Sequence, residues 1–122
     1  MDEIQPPSSI KILIVRLSSI GDIVLTTPVV RAVKQQVPGV ELHFLVKKQM
    51  AQVISTNPYV DKLHLYDKDD VKATFSELKA EKFDFVVDLQ SNHRSRQVIR
   101  KLHVPSATYP NVSVKKFISV FL

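Results

Sequence analysis

IKILIVRLSSIGDIVLTTPVVRAVKQQVPG, residues 10–39, is the stretch on which the fold turns. Its first six residues, IKILIV, form an apolar, β-branched run of strand length. Ser18, Ser19, Ile20, Gly21 and Asp22 then break the pattern. From Ile23 onward Val30, Val33 and Val37 recur at helical spacing until Pro38 and Gly39 stop the element. The reading is a central strand, a tight loop and a helix. Pro28 lacks the N–H that an interior helical bond needs, so a kink or a late start near Thr27 is expected.

Outward from that unit the pattern repeats. Residues 40–46 (VELHFLV) read as a second strand, and Met50, Val53 and Ile54 form a short helical stripe that Asn57 and Pro58 end. Residues 62–66 (KLHLY) alternate as a third strand, and Asp69 or Asp70 is placed to cap a helix whose Val71, Phe75 and Leu78 share a face. Residues 83–89 (FDFVVDL) read as a fourth strand, residues 92–102 as a basic helix with Val98, Ile99 and Leu102 inward, and residues 107–109 as the start of a fifth strand. Strands alternating with helices of about ten residues imply parallel pairing through right-handed crossovers. The fold class is α/β, a Rossmann-like three-layer sandwich with a mostly parallel sheet. Residues 1–9, with Pro6 and Pro7, read as a flexible leader, and residues 10–122 as one domain. Residues 112–122 (VSVKKFISVFL) begin an amphipathic helix with no cap or polar tail, so the domain is expected to be cut within a larger protein. Exposed apolar surface is expected where the remainder would dock.

Composition narrows the chemistry. The chain has 122 residues, enough for one core. It has no cysteine, which excludes disulfides, thiolate zinc sites, iron–sulfur clusters and a cysteine nucleophile, and points to a reducing compartment. With only Gly21 and Gly39, neither a G-x-G-x-x-G fingerprint nor a G-x-x-x-x-G-K-[ST] phosphate loop can be written. No cofactor is expected. The net charge of +5 and a pI near 9.6 favour an anionic partner such as a phosphosugar or anionic lipid. No RNA-recognition or zinc-finger signature accompanies the charge, so nucleic acid is not expected. No apolar run reaches the ~18 to 20 residues that span a bilayer, and residues 1–9 are acidic and polar rather than basic and apolar. A cytoplasmic protein is expected, peripheral at a membrane at most.

Ligands of doubly wound sheets meet the carboxyl ends of the strands, which singles out residues 16–22 and 90–95. Asp22, just after Gly21 at a helix start, reads either as a cap or as a general base. Gly21 lets the backbone turn or approach a ligand closely; Ser18 and Ser19 offer hydroxyls to a ligand or to the loop itself. Asp88 reads as a strand-end residue that caps the next turn. Arg94 and Arg96 are placed either to fork onto phosphate or carboxylate or to solvate a helix face. Lys47 and Lys48 open a helix, a poor place for cations unless an anion binds nearby. His43, His64, His93 and His103 lie far apart in sequence with no ligand-pair spacing, so no metal site is expected. No G-x-S-x-G elbow presents a serine, which discards hydrolase chemistry. A phosphorelay receiver suits the length but lacks an acidic cluster after the first strand.

The string KILIVRLSSIGDIVLTTP, residues 11–28, closely resembles the opening of the lipopolysaccharide heptosyltransferases, the ADP-heptose-dependent enzymes of the ninth glycosyltransferase family. The resemblance continues through HFLVKK (43–48), NPYVD (57–61) and FDFVVDLQSNHRS (83–95), and covers roughly residues 10 to 120. It implies the N-terminal, acceptor-side half of a GT-B glycosyltransferase, with the nucleotide sugar held by a C-terminal domain outside these residues. It implies Asp22 as the base of a metal-free, inverting transfer of heptose from ADP-heptose to the lipopolysaccharide inner core (lipid A–Kdo or heptose). Ser18, Ser19, Gly21, Arg94, Ser95, Lys47 and Lys48 are the acceptor contacts expected on this reading, at the cytoplasmic face of the inner membrane. The 122 residues alone are expected to be inactive. Two rivals stand beside it: a non-catalytic binding module for an anionic ligand or partner, and a related glycosyltransferase that uses another nucleotide sugar.

Overall fold

The computed structural model describes residues 10–109; the expected leader and the expected terminal helix lie outside them. In chain order the elements are β1 (Lys11–Val15), α1 (Ile20–Leu25), α2 (Thr27–Gln36), β2 (Glu41–Lys47), a 3₁₀ turn (Lys48–Met50), α3 (Ala51–Ile54), β3 (Lys62–Tyr66), α4 (Val71–Glu81), β4 (Phe85–Asp88), α5 (His93–Leu102) and β5 (Ser106–Thr108). The strands form one parallel sheet in the order β3-β2-β1-β4-β5. Leu13 lies opposite His43 on one side and Val86 on the other, so β1 is the central strand that the IKILIV run predicts.

Period-two alternation sorts the strand side chains into two cores. Ile12, Ile14, Leu42, Phe44 and Val46 face Ile23, Val29, Val30 and Ile54, under α1, α2 and α3. Leu13, Val15, Leu45, Tyr66 and Val86 face Leu78 and Val98, under α4 and α5. The sandwich is therefore three-layered and α/β, as the sequence pattern predicts.

Local chemistry sets the boundaries. The single helix expected from Ile23 is two, because the chain bends at Thr26: its N–H (3.0 Å) and hydroxyl (2.6 Å) both donate to the carbonyl of Ile23. Its own carbonyl accepts from Val30 N (2.9 Å), which starts α2. Pro28 then falls in the first turn of α2, where a missing N–H costs nothing. Gly39, at φ +73, makes the turn into β2. Asp70, rather than Asp69, caps α4 through Ala73 N (3.2 Å), and Lys82 ends that helix in the left-handed region.

After β3 the chain crosses over β1 to reach β4, so the winding reverses between β1 and β4. The loops leaving those two strands diverge there, which opens a crevice at the carboxyl edge of the sheet. On the rim, Ile20, Val24 and Leu25 of α1 are exposed apolar side chains. No helix among the described residues is long and apolar enough to cross a membrane.

Candidate functional site

Arg16, the last residue of the extended run from β1, is buried at the crevice floor with only 4% of its surface exposed. Its Nη1 donates to the carbonyl of Leu89 (2.5 Å) beyond β4, and its Nη2 meets Asp22 Oδ2 at 2.9 Å. One guanidinium thus ties the β4 end to the first turn of α1. The same Oδ2 accepts the hydroxyl of Ser19 (2.9 Å) and, at 3.5 Å, its N–H. The Ser19 hydroxyl holds the Asp22 carboxyl below the usual carboxylate range; partial burial opposes that shift and Arg16 reinforces it. Asp22 is therefore an ionised, half-exposed carboxylate at neutral pH, one oxygen of which is held by the loop.

Gln90 performs the reciprocal link. Its Oε1 accepts from Leu17 N (2.9 Å) and Ser18 N (3.2 Å), so the loop after β4 grips the loop after β1. Asp88, fully buried, holds Gln90 N (2.9 Å) and Ser91 N (2.8 Å) on one oxygen and the Ser95 hydroxyl (2.8 Å) on the other. This is the turn-capping role its position suggests. Asn92 and Ser95 cap each other's backbone N–H groups at 2.9 Å and start α5. Ser95 is consequently buried with its hydroxyl engaged, and it serves to shape the loop; the expected acceptor contact has no open route to it.

A cleft of about 280 Å³ lies between the loops, lined by Leu17, Ser18, Lys47, Asn92, His93 and Arg94. It brings together three of the predicted contacts, Ser18, Lys47 and Arg94, and no carboxylate lines it. Lys48 goes elsewhere. It stands 3.9 Å from Asp67 and borders a neighbouring hollow of about 240 Å³ with Tyr66. Arg94 of the first cleft has its guanidinium 6.0 Å from the centre of the Tyr66 ring. Gly21 lies within α1 without a positive φ, so no turn requires it; a Cβ there would meet nothing within 4 Å. Arg96 is an exposed residue of α5.

Arg16 and Gln90 are the residues whose roles the sequence does not disclose. An arginine directly after an apolar strand and a glutamine directly after FVVDL are the available signals, since each ends a strand beside the switch point. Two of the histidines that lie far apart in sequence are brought together by the fold: His43 and His64 meet across β2 and β3 with ring nitrogens 2.8 Å apart.

This sheet order, with a carboxylate and a cationic cleft at the switch point, defines a Rossmann-like α/β domain with a ligand crevice at the carboxyl edge of its sheet. No family model matches the chain. In sequence it is 31% identical over 111 residues to lipopolysaccharide heptosyltransferase 1 of Campylobacter coli, covering 87% of this chain and 32% of that protein. In fold it is similar to a glycosyl transferase family 9 protein from Veillonella parvula, with a TM-score of 0.73 and 23% identity, covering 94% of this chain and 36% of that one. It is likewise similar to Escherichia coli heptosyltransferase WaaC, solved with ADP, with a TM-score of 0.69 and 24% identity, covering 92% of this chain and 39% of that one. The structural likenesses show the fold; the sequence likeness relates the chain to the lipopolysaccharide heptosyltransferases. It spans about a third of the length of the curated relatives it matches.

Proposed function

We propose that these residues form the acceptor-side domain of an inverting glycosyltransferase that moves heptose from ADP-heptose to the lipopolysaccharide inner core. The observation that carries the reading is the Asp22 carboxylate at the β1–β4 switch point, beside a cleft whose charged side chains, Lys47 and Arg94, are cationic. An inner-core sugar bearing carboxylates and phosphates suits that cleft. Asp22 takes the proton of the acceptor hydroxyl as its oxygen attacks the anomeric carbon of the donor. The bond from that carbon to the phosphate oxygen breaks, ADP leaves with the electron pair, and the configuration inverts. Ser18 and Arg94 hold the acceptor, Lys47 adds charge, and open space at Gly21 admits the sugar to the first turn of α1. The donor is held by a second domain, and the reaction takes place at the cytoplasmic face of the membrane.

General-base assistance of this kind contributes ~10²- to 10⁴-fold to the rate. Asp22→Ala in the longest natural form of the protein should therefore lower ADP release from ADP-heptose and a lipid A–Kdo acceptor by about 10²-fold or more, with an unchanged circular dichroism spectrum. Undiminished turnover would remove Asp22 from the chemistry.

A further inference from the structure

Away from the crevice, on the face that α4 covers, His43 and His64 are both buried, at 0% and 1% exposure. Their rings stack 16° from parallel with centroids 5.1 Å apart, and Phe83 packs edge-on against both. The inner nitrogens, His43 Nδ1 and His64 Nε2, face each other at 2.8 Å. The outer nitrogens each meet a carboxylate: His43 Nε2 lies 2.5 Å from Glu41, and His64 Nδ1 contacts Glu77 of α4. A third carboxylate, Glu81 Oε2, lies 3.7 Å from His64 Nε2.

Counting protons shows what this arrangement lacks. Ionised Glu41 and Glu77 can only accept, so each outer ring nitrogen carries the N–H. A neutral imidazole has one N–H, so both inner nitrogens are left with lone pairs pointing at each other. Glu81 adds a third electron-pair donor. The two inner nitrogens have no proton to offer each other, so the point between them calls for a positive occupant; Glu81 Oε2, close by, is held by the Lys62 ammonium. Histidines that donate one N–H to a carboxylate and turn the other nitrogen inward are oriented as metal ligands are, with the carboxylates setting tautomer and basicity.

We propose that His43, His64 and Glu81 form a binding site for a divalent first-row transition metal of the nitrogen- and oxygen-preferring class, with zinc as its type. The three ligand atoms lie within 4.8 Å of one another. Metal–ligand bonds of ~2.0–2.1 Å in a tetrahedron need edges of about 3.3 Å, so the inner nitrogens separate by roughly half an ångström on binding. Two imidazoles disfavour magnesium and calcium, which take oxygen ligands. Water completes the fourth position. Glu81 is held by Lys62 (2.5 Å) and Lys11 (3.2 Å), and the half-exposed Lys62 side chain swings to solvent as the metal takes its place. The site joins β2, β3 and the last turn of α4 and contains no residue assigned to the transfer reaction. It acts as a structural clasp, and its test is independent of that activity.

Titration of the tag-free, metal-stripped full chain with Zn²⁺ by calorimetry is expected to give one site per chain, and Co²⁺ is expected to give the intense visible bands of a tetrahedral complex. The melting temperature should rise with Zn²⁺. His64→Gln should abolish the bands. Glu77→Gln, which changes an exposed residue that only orients His64, should retain the fold and weaken binding by about 10- to 100-fold. His93→Gln and His103→Gln, at distant surface positions, should leave binding unchanged. Equal Zn²⁺ affinity in wild type and both the His64 and Glu77 variants would overturn the proposal. So would absence of Zn²⁺ binding at millimolar concentration with a strongly deshielded imidazole proton in the NMR spectrum, which would make the occupant a shared proton.

Discussion

Asp22 is a loop anchor and, on the proposed reading, a proton acceptor as well, and its surroundings set the balance. The Ser19 hydroxyl, the largest cause of its lowered pKa, and Arg16 keep it charged, which also makes it a weaker base than a carboxylate in water. Ser19 and Arg16 both hold Oδ2, so on the proposed reading the acceptor hydroxyl is met by the other oxygen, Oδ1. Because the folded pKa lies below the ordinary 3.8, the stabilisation these contacts give is present above pH 3.8 and is lost as pH falls through the lowered value. NMR titration of the Asp22 carboxyl should place its midpoint below 3.8, and Ser19→Ala should move it upward. An unmoved midpoint would transfer the effect to Arg16. On the same reading Arg94 would work differently, because the acceptor charge it would meet is the same in ground and transition states. Arg94→Ala should accordingly raise the acceptor KM by roughly tenfold with little change in kcat, the signature of lost uniform binding. At this scale the sequence points to polar side chains that the fold gathers at the crevice, Asp22, Ser18, Arg94 and Lys47, because loops at strand ends leave polar side chains conspicuous. It does not disclose Arg16 or Gln90, whose partners lie 73 residues away. Nor does it show that Ser95 turns inward, since a helix's first turn and its cap draw on the same residue types.

Among the elements, α5 has the most to do with the cleft, because its first turn presents His93 and Arg94. That turn depends on the reciprocal capping of Asn92 and Ser95 and on Asp88 beneath it. Asn92→Ala should cost about 1 kcal/mol in urea unfolding, the usual cost of a lost N-cap. A change within a few tenths would mean that Asp88 alone secures the turn. The strands and helices themselves are legible from hydrophobic periodicity, with β3 matching its sequence pattern at both ends. The break between α1 and α2 is not, because Thr26 ends one helix and begins the next through bonds to Ile23 and Val30 that leave no mark on apolar spacing. In the same way the stripe of Met50, Val53 and Ile54 folds as a 3₁₀ turn followed by a single turn of α-helix.

At the scale of the molecule the sheet carries the stability. Phe44, without exposed surface, lies at the centre of the core under α1, α2 and α3. Phe44→Ala should cost about 3 to 5 kcal/mol in equilibrium denaturation, out of the ~5 to 15 kcal/mol that holds a domain of ordinary stability. A loss below about 1 kcal/mol would show a core that repacks freely. The α/β class is legible because strand and helix alternate, and the location of the crevice follows from the class. The histidine pair is not legible, because neighbouring strands bring together residues 21 positions apart in a register that sequence spacing does not encode.

Among the described strands the central one is also made first. On a ribosome, β1 emerges before its partners and can pair with β2 soon after, yet its other edge must wait for β4, some 73 residues later. At ~5–20 residues per second that is a delay of about 4 to 15 seconds. Throughout it, the row of backbone donors and acceptors along residues 12–15 faces solvent with no partner from its own chain. Newly made copies on one messenger are then most exposed to strand exchange with each other, so the yield of folded protein depends on how quickly translation passes Asp88.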